Sequence, residues 1–238
     1  IRPIGGEQSN TSVLIEEYAV VKLYRRLHDG IHPEVEMMRF LMEQGFEATP
    51  ALYGTMERGG TTIAVLIQWL RNQGEAWSHA LGYLRRFVEH GILGEAEPAA
   101  AEAPSVDAED YYFTLARQLG RRAGEMHVAL CPDGNTDPAF APEPITPEDL
   151  ARWRDAVSRQ ASELLPEIEH ISTAQRQRLM DRIDALPATV EALKTRYHGD
   201  FHLGQVLVVR NDFAIIDFEG EPMRPLAERR AKSSPLKD

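Results

Sequence analysis

The first 70 residues alternate between short apolar runs and polar turns, a pattern that predicts β-strands. Two runs rich in β-branched residues, 11–16 and 19–24, are separated by a polar Glu-Glu-Tyr triplet, which is typical of a hairpin. Two further apolar runs, 51–56 and 61–70, flank the turn sequence Glu-Arg-Gly-Gly. The pattern therefore predicts four strands, which suit a small antiparallel sheet.

One helix is predicted between these two pairs of strands, over residues 33–44. Apolar side chains at Val35, Met38 and Leu41 follow one another at helical spacing. Pro33 suits the first turn of a helix, and Gly45 comes directly after the predicted end. Residues 1–70 are thus expected to form an N-terminal lobe of sheet with one helix.

Helical periodicity dominates the chain after residue 70. Helices are predicted over residues 75–90, 111–130, 147–165 and 173–195. A stretch rich in Ala, Glu and Pro, 94–110, has the composition of a loop, and short strands are predicted over 205–209 and 213–216. The predicted fold class is α+β and bilobal, with residues 71–238 as a larger, helical C-terminal lobe.

Composition narrows the classes of partner. The 238 residues contain 26 Lys and Arg against 37 Asp and Glu, a net charge of −11 that disfavours nucleic acid. No apolar run approaches the length of about 18 residues needed to cross a membrane. The single Cys131 excludes an internal disulfide and indicates a reducing, cytoplasmic compartment. Nothing near Ile1 resembles a signal peptide, and the absence of an initial Met suggests a piece of a longer protein.

The candidate chemistry lies near the end of the chain, around the last predicted hairpin. Asp200 precedes the hairpin and Asp217 follows it, so pairing of the strands is expected to bring the two carboxylates into one cleft. Phosphoryl transfer uses one carboxylate to accept the proton of the attacking hydroxyl and another to hold Mg²⁺. The amide oxygen of Gln205 suits the same hard ion.

This segment resembles the protein-kinase-like superfamily, in its aminoglycoside-phosphotransferase-like branch. The chain has His-Gly-Asp at 198–200 where protein kinases have His-Arg-Asp, and Asp-Phe-Glu at 217–219 where they have Asp-Phe-Gly. These differences indicate a kinase of small molecules. The resemblance implies Asp200 as the catalytic base, Asp217 and Gln205 as Mg²⁺ ligands, Glu219 as a further acidic ligand, and ATP as cofactor.

The same resemblance assigns residues of the N-terminal lobe to nucleotide binding. Lys22 lies in an apolar strand, where its charge needs a partner, and would contact the α- and β-phosphates. Glu34 and Glu36 on the following helix are both candidates to pair with it. Glu36 is favoured, because the apolar stripe through Val35 and Met38 flanks it.

Two further segments of this lobe are expected to contact ATP. The polar turn before the second strand lacks the Gly-x-Gly-x-x-Gly of protein kinases, but its hydroxyl, amide and backbone N–H groups suit phosphate. Its candidate residues are Ser9, Asn10, Thr11 and Ser12. The strand over 61–70 leads to a hinge, where backbone groups between Gln68 and Leu70 would meet adenine.

A closer resemblance is to the maltokinase family, including the kinase half of trehalose synthase–maltokinase fusions. The segments that carry this resemblance are residues 7–12, 21–26, 30–36, 138–144, 198–207, 217–222 and 224–230. The resemblance implies phosphorylation of the anomeric hydroxyl of maltose to maltose 1-phosphate, in a route from trehalose to glycogen. It also implies flanking segments beyond this chain. His202, Glu221 and Arg224 are the candidate sugar contacts.

Other interpretations remain beside this one. His198 and His202 are four residues apart, but Gly199 and Gly204 disfavour the helix that a zinc-binding pair would need. Another small-molecule kinase, acting on an aminoglycoside or amino alcohol, is the nearest alternative. A non-catalytic module that binds nucleotide is the alternative from another class.

Overall fold

A computed structural model of the chain describes residues 2–3, 10–93 and 106–238. The chain divides into two compact units, one formed by Ile1–Ala141 with Arg196–Asp238 and the other by Pro142–Thr195. All the candidate site residues fall within the sequence of the first unit. This division does not follow the predicted boundary at residue 70, and the separation into a nucleotide-binding and a catalytic lobe stays a prediction.

A five-stranded antiparallel sheet carries the N-terminal part of the site. Its strands are β1 (Arg2–Pro3), β2 (Thr11–Ile15), β3 (Ala19–Leu23), β4 (Leu52–Arg58) and β5 (Thr61–Gln68), in the order β1-β2-β3-β5-β4. The four predicted strands are therefore present. Lys22 lies on the central strand β3, opposite Ser12 of β2 and Val65 of β5. This central position buries a lysine that would be exposed at the edge of the sheet.

Helix α1 (Pro33–Glu43) follows the sheet's first hairpin, close to the predicted bounds. Pro33 occupies the first turn, where its missing N–H costs no hydrogen bond. The helix ends before Gly45, which adopts a φ of 74°, a conformation that glycine tolerates best. Its first turn places Glu34 next to Lys22 of the sheet.

The remaining elements of the first unit are three helices and a hairpin: α2 (Ala76–Leu93), α3 (Val106–Ala129), α6 (Leu226–Arg229), β8 (Val206–Val209) and β9 (Asp212–Ile215). Short 3₁₀ turns cover Leu203–Gln205 and Pro235–Lys237. Helix α3 begins five residues before the predicted loop ends, and residues 94–105 of that loop lie outside the described residues. The hairpin is tied to α3, because Arg122 donates to Asp212 (Nε–Oδ1 2.9 Å).

One apolar cluster supports both sides of the candidate site. It contains Met37 and Leu41 of α1, Met126 of α3, Leu130, Ile215 and Phe218. Each of these side chains is at most 2% exposed. Phe218 directly follows Asp217 in the chain. Packing of the Phe218 ring in the core therefore fixes the position of the Asp217 backbone, from which the carboxylate extends.

The second unit contains α4 (Pro147–Leu164), α5 (Thr173–Asp184) and the paired short strands β6 (Glu143–Pro144) and β7 (Leu193–Lys194), with a 3₁₀ turn at Leu165–Glu167. Both helices begin with a capping box, at Thr146 and at Ser172. The predicted helix over 173–195 is wrong after residue 184. Pro187 cannot donate the helical hydrogen bond and restricts the residue before it, so the chain leaves the helix.

None of the described helices is both long and apolar enough to cross a lipid bilayer.

Candidate active site

Lys22 is the centre of a buried cluster of charges. Its Nζ lies 3.0 Å from Oε2 of Glu34, 2.6 Å from Oδ1 of Asp217 and 3.5 Å from Oε1 of Glu219. The lysine side chain is only 10% exposed. Strand β3 and helix α1 bring the first two residues together, and the segment after β9 brings the two acids at 217 and 219.

The surroundings keep both partners of the central ion pair charged. Burial opposes the charge on Lys22, but the carboxylates of Glu34, Asp217 and Glu219 outweigh it and raise the pKa of the amine. Burial likewise works to raise the pKa of Asp217, but the charge and hydrogen bond of Lys22 outweigh it and lower that pKa. The pair therefore remains an ammonium and a carboxylate at neutral pH.

Glu34, and not Glu36, is the helix carboxylate that pairs with Lys22. The hydroxyl of Tyr24 donates to Glu34 Oε2 (2.5 Å), and the Tyr24 ring stacks on His32 with centroids 3.8 Å apart. The expectation for Glu36 is wrong for a geometric reason. Residues two apart on a helix are about 200° apart around its axis, so they face opposite sides.

Glu36 instead meets two arginines from the C-terminal part of the chain. Arg196 donates through Nη1 to Oε2 (2.6 Å), and Arg230 donates through Nε (3.0 Å) and Nη2 (2.6 Å). Burial would raise the pKa of Glu36, but the hydrogen bonds from Arg230 and Arg196 lower it below the usual range. Glu36 is thus an ionised anchor on the other side of α1.

The segment 217–220 is held in a constrained conformation. Asp217 adopts a φ of 66°, which is unusual for a residue with a side chain. Glu219 accepts a hydrogen bond from Asn10 (Nδ2–Oε1 2.7 Å), and its backbone carbonyl accepts one from Arg229 (Nη1–O 3.1 Å). Such strain is found at functional sites, where surrounding contacts hold the backbone in place.

The loop that contains His198 and Asp200 lies against the same segment. His198 is buried, and its Nε2 donates to the carbonyl of Ile216 (2.9 Å). A β-carbon on Gly199 would be 3.5 Å from the Cα of Gly220, so the two backbones are in contact. The residues before Asp200 and those around Asp217 are therefore neighbours, as the hairpin predicted.

Asp238, which lies far along the chain from this loop, binds the loop backbone. Its carboxylate accepts hydrogen bonds from the backbone N–H groups of His198 (2.8 Å) and Gly199 (2.9 Å). His127 of α3 donates to the same carboxylate (Nε2–Oδ2 3.1 Å). The Asp238 carboxylate therefore connects the loop to α3.

The phosphotransferase enzyme family (APH) matches residues 1–220 of the chain. The chain belongs to this family. The match covers β3, α1, the loop before Asp200 and the Asp217 segment, and it agrees with a kinase-like fold of antiparallel sheet followed by helices.

Two curated relatives of this chain are glucosamine kinases. The one from Streptacidiphilus jiangxiensis is 28% identical over 247 aligned positions, covering 97% of this chain and 51% of the relative. The one from Mycolicibacterium smegmatis (strain ATCC 700084 / mc(2)155) is 26% identical over 243 positions, covering 98% of this chain and 55% of the relative. The chain thus spans about half the length of these relatives.

A solved structure supports the same relationship. A glucosamine kinase in complex with glucosamine, ADP and inorganic phosphate is 26% identical, with a TM-score of 0.72 over 99% of this chain and 55% of that one. These relatives are glucosamine kinases, whereas the sequence predicted a maltokinase. The finer resemblance to maltokinase is therefore not shown by them.

The other residues predicted to contact nucleotide lie around the start of β2 and the end of β5. Asn10 is buried against Glu219, Thr11 Oγ1 accepts from Arg25 (3.1 Å), and Ser9 lies outside the described residues. Ser12 lies in β2. At the hinge, the Gln68 side chain accepts from the N–H of Ala51 (3.2 Å), and the carbonyl of Leu70 accepts from Asn72 (2.9 Å). The role of these residues in binding ATP stays a prediction.

The predicted sugar contacts lie on exposed segments. His202 begins the 3₁₀ turn, and its Nδ1 accepts from the N–H of Gly204 (3.1 Å). Glu221 and Arg224 form an ion pair with each other, with both side chains 44% exposed. The role of these three residues in sugar binding stays a prediction.

The donor set near Asp217 suits a magnesium ion. Asp217 and Glu219 supply carboxylates, and Gln205 is adjacent because its carbonyl accepts from the N–H of Ile216 (2.9 Å). Within the described part of the chain, no group of three His, Cys, Asp or Glu side chains is arranged to hold a metal. Mg²⁺ at kinase sites needs only one or two carboxylates and completes its shell with phosphate and water. The residues therefore fit Mg²⁺ brought with a nucleotide, and not a preformed zinc site.

Three contributors to the site were missed in the sequence: Tyr24, Arg196 and Asp238. Tyr24 is two residues after Lys22, and Arg196 is two residues before His198. Their polar groups, so close in sequence to the candidate segments, are the signal that could have indicated them. Asp238 is 38 residues beyond the loop that it anchors, and no local pattern connects the two.

Proposed function

We propose that this protein is a sugar kinase that transfers the γ-phosphoryl group of ATP to a sugar hydroxyl. The observation that carries the proposal is the buried Lys22–Asp217 pair, held by Glu34 beside the loop that leads to Asp200. An amine and carboxylates in this arrangement are the groups that phosphoryl transfer requires. Membership of the phosphotransferase family and the two glucosamine kinases among its relatives support the same reaction class.

The proposed roles follow from the position of each group. Asp200 accepts the proton of the attacking sugar hydroxyl and orients it towards the phosphoryl group. Lys22 binds the nucleotide phosphates once its ion pair with Asp217 opens. Asp217, Glu219 and Gln205 hold Mg²⁺, which when bound neutralises the charge of the phosphates. The chain's own contribution is positioning and electrostatic stabilisation.

Glucosamine is the first acceptor to consider, because both curated relatives and the solved structure are glucosamine kinases. The net charge of −11 is compatible with an amino sugar, whose ammonium group is attracted by an acidic protein. Maltose is the second candidate, on the strength of the sequence words shared with maltokinases. In that case the product is maltose 1-phosphate and a trehalose synthase is the expected partner.

A panel of acceptors tests this proposal. The full-length protein is incubated with ATP and Mg²⁺ and with glucosamine, maltose, kanamycin or choline, and ADP release and phosphorylated product are measured. We expect transfer to glucosamine or maltose and none in the matched variant Asp200→Asn. Transfer only to kanamycin or choline would replace sugar by another acceptor class. Nucleotide binding without transfer to any acceptor would identify a non-catalytic module.

A further inference from the structure

Helix α1 is held by carboxylates on two opposite sides. On one side, Glu34 pairs with Lys22 of the sheet. On the other side, Glu36 pairs with Arg196 and Arg230. The Arg196 side chain is 1% exposed and that of Glu36 is 9% exposed, whereas Arg230 is 32% exposed, so the Glu36–Arg196 pair is the protected part of this cluster.

The two arginines belong to the segments that surround the candidate active site. Arg196 is two residues before His198, which binds the carbonyl of Ile216. Arg230 directly follows Arg229, which donates to the carbonyl of Glu219 (3.1 Å). Glu36 therefore connects α1 to the start of the catalytic loop and to the residues that support Glu219.

Aromatic contacts reinforce this connection. The Arg196 guanidinium lies 5.1 Å from the centroid of the Phe140 ring, and that ring stacks on Phe40 of α1 with centroids 3.7 Å apart. A guanidinium over an aromatic face is held in position as well as stabilised. Arg196, which pairs with Glu36, therefore has a restricted orientation.

We propose that Glu36, Arg196 and Arg230 form a positioning cluster that sets the rotation of α1, so that Glu34 faces Lys22 and orients it for nucleotide. One contact point leaves a helix free to rotate about its axis, whereas anchors on opposite faces fix that rotation. Because a buried ion pair often contributes little net stability, we assign this cluster a role in selecting one orientation of the helix. The proposal deepens the proposed function, since it rests on Lys22 as the group that binds the nucleotide.

The test compares carboxylates on the same helix. Glu36→Gln removes the anchor, Glu34→Gln removes the partner of Lys22, and the exposed Glu43→Gln serves as the matched control. Binding of a fluorescent ATP analogue with Mg²⁺ is measured for each variant of the full-length protein, with circular dichroism to verify folding. KM for ATP and for the sugar are measured where turnover is present.

Loss of one charge-assisted pair should weaken nucleotide binding by about tenfold in Glu36→Gln. In Glu36→Gln the KM for ATP should also rise, while the KM for the sugar stays close to wild type. The control Glu43→Gln should resemble wild type in nucleotide binding and in both KM values. The decisive result is the double variant Glu34→Gln/Glu36→Gln. It should bind nucleotide no more weakly than Glu34→Gln alone, because Glu36 acts only through Glu34.

The proposal would be overturned if the double variant bound nucleotide more weakly than Glu34→Gln, with the two losses of affinity multiplied. It would also be overturned if a folded Glu36→Gln protein bound nucleotide as tightly as wild type. If Glu36→Gln does not fold, Arg230→Gln decides by the same criteria, because the Arg230 side chain is 32% exposed and its loss leaves Arg196 in place. Failure of the sugar-kinase proposal would show separately, as wild-type protein that transfers phosphate to no sugar. The binding comparison would still test the cluster in that case.

Discussion

At the scale of single residues, the candidate site is a group of carboxyl side chains around one buried amine. The carboxyl groups of Glu34, Asp217 and Glu219 surround Lys22, and Arg229 adds a second cation 3.6 Å from Glu219. Burial raises the pKa of Glu34, whereas the charge and hydrogen bond of Lys22 lower the pKa of Asp217 against the effect of burial. The ionised Asp217 carboxylate attracts a divalent cation, and the proposed magnesium–nucleotide complex uses this property.

Asp200 belongs to this scale, because its proposed role depends on one carboxylate. Asp200→Asn keeps the size of the side chain but removes the proton acceptor. We expect kcat to fall by at least about a hundredfold with nucleotide affinity nearly unchanged. Steady-state kinetics and binding of the ATP analogue measure the two quantities, and unchanged kcat would remove Asp200 from the mechanism.

His32 should make stability depend on pH. Burial, together with the charges of Lys22 and Arg229, lowers the pKa of His32 to about 3. Below about pH 6.5 the unfolded chain binds a proton at this residue that the folded protein does not, so stability falls as the pH falls. At pH 5 this effect should have lowered the free energy of unfolding by about 2 kcal/mol.

The measurement is urea unfolding at pH 7.5 and pH 5.0 for wild type and His32→Phe, which retains a ring for stacking on Tyr24. The buried carboxylates with lowered pKa lose their contribution only nearer pH 4, so they do not mask the effect. The free energy lost between the two pH values should be clearly smaller in the variant. An identical loss in both proteins would contradict the prediction.

At the scale of elements, the loop that contains His198 and Asp200 depends on a contact from the end of a 3₁₀ turn far along the chain. Asp238 directly follows the turn Pro235–Lys237, and its carboxylate accepts the N–H groups of His198 and Gly199. Burial works to raise the pKa of Asp238, but hydrogen bonds from His127 and the loop lower it. The carboxylate therefore stays ionised and keeps the loop in place at neutral pH.

Removal of this anchor should affect catalysis more than nucleotide binding. Asp238→Ala leaves two buried N–H groups without their acceptor, so the loop shifts and Asp200 moves with it. A small displacement of a catalytic group can lower kcat by about ten- to a hundredfold. The exposed Leu236→Ala, from the preceding turn, is the matched control, and equal kcat in both variants would disprove the anchoring role.

At the scale of the whole molecule, one apolar core stabilises elements that are distant in sequence. Leu130 is fully buried with Met37 and Leu41 of α1 and with Phe218 beside Asp217. The position of the Asp217 carboxylate and that of α1 therefore depend on the same packing. Stability of this core and integrity of the site are expected to be lost together.

Leu130→Ala should lower the free energy of unfolding by about 2–5 kcal/mol, because it creates a cavity in this core. Val128→Ala, at a side chain that is 74% exposed, should change it by about 0.5 kcal/mol or less. Urea unfolding, followed by nucleotide binding and by circular dichroism, measures both variants. A loss of less than about 0.5 kcal/mol in Leu130→Ala would show that the core does not depend on this residue.

The strands, α1 and the hairpin before Asp217 could be predicted because their signals are local. Alternating or helical spacing, Pro33 at a first turn and Gly45 after an end each act within a few residues. The helix predicted over 173–195 failed where the apolar pattern continued past Pro187. There the backbone restriction of proline outweighed side-chain periodicity.

The sequence by itself determined the candidate groups: a lysine in an apolar strand, acids on the next helix, and Asp200 and Asp217 at the two ends of a hairpin. Tertiary structure decided which group meets which. Pairing of Lys22 with Glu34, and of Glu36 with Arg196, depends on how α1 is rotated against segments more than 150 residues away. Rotation results from packing and ion pairs across the whole unit, and such contacts leave no periodic trace along the chain.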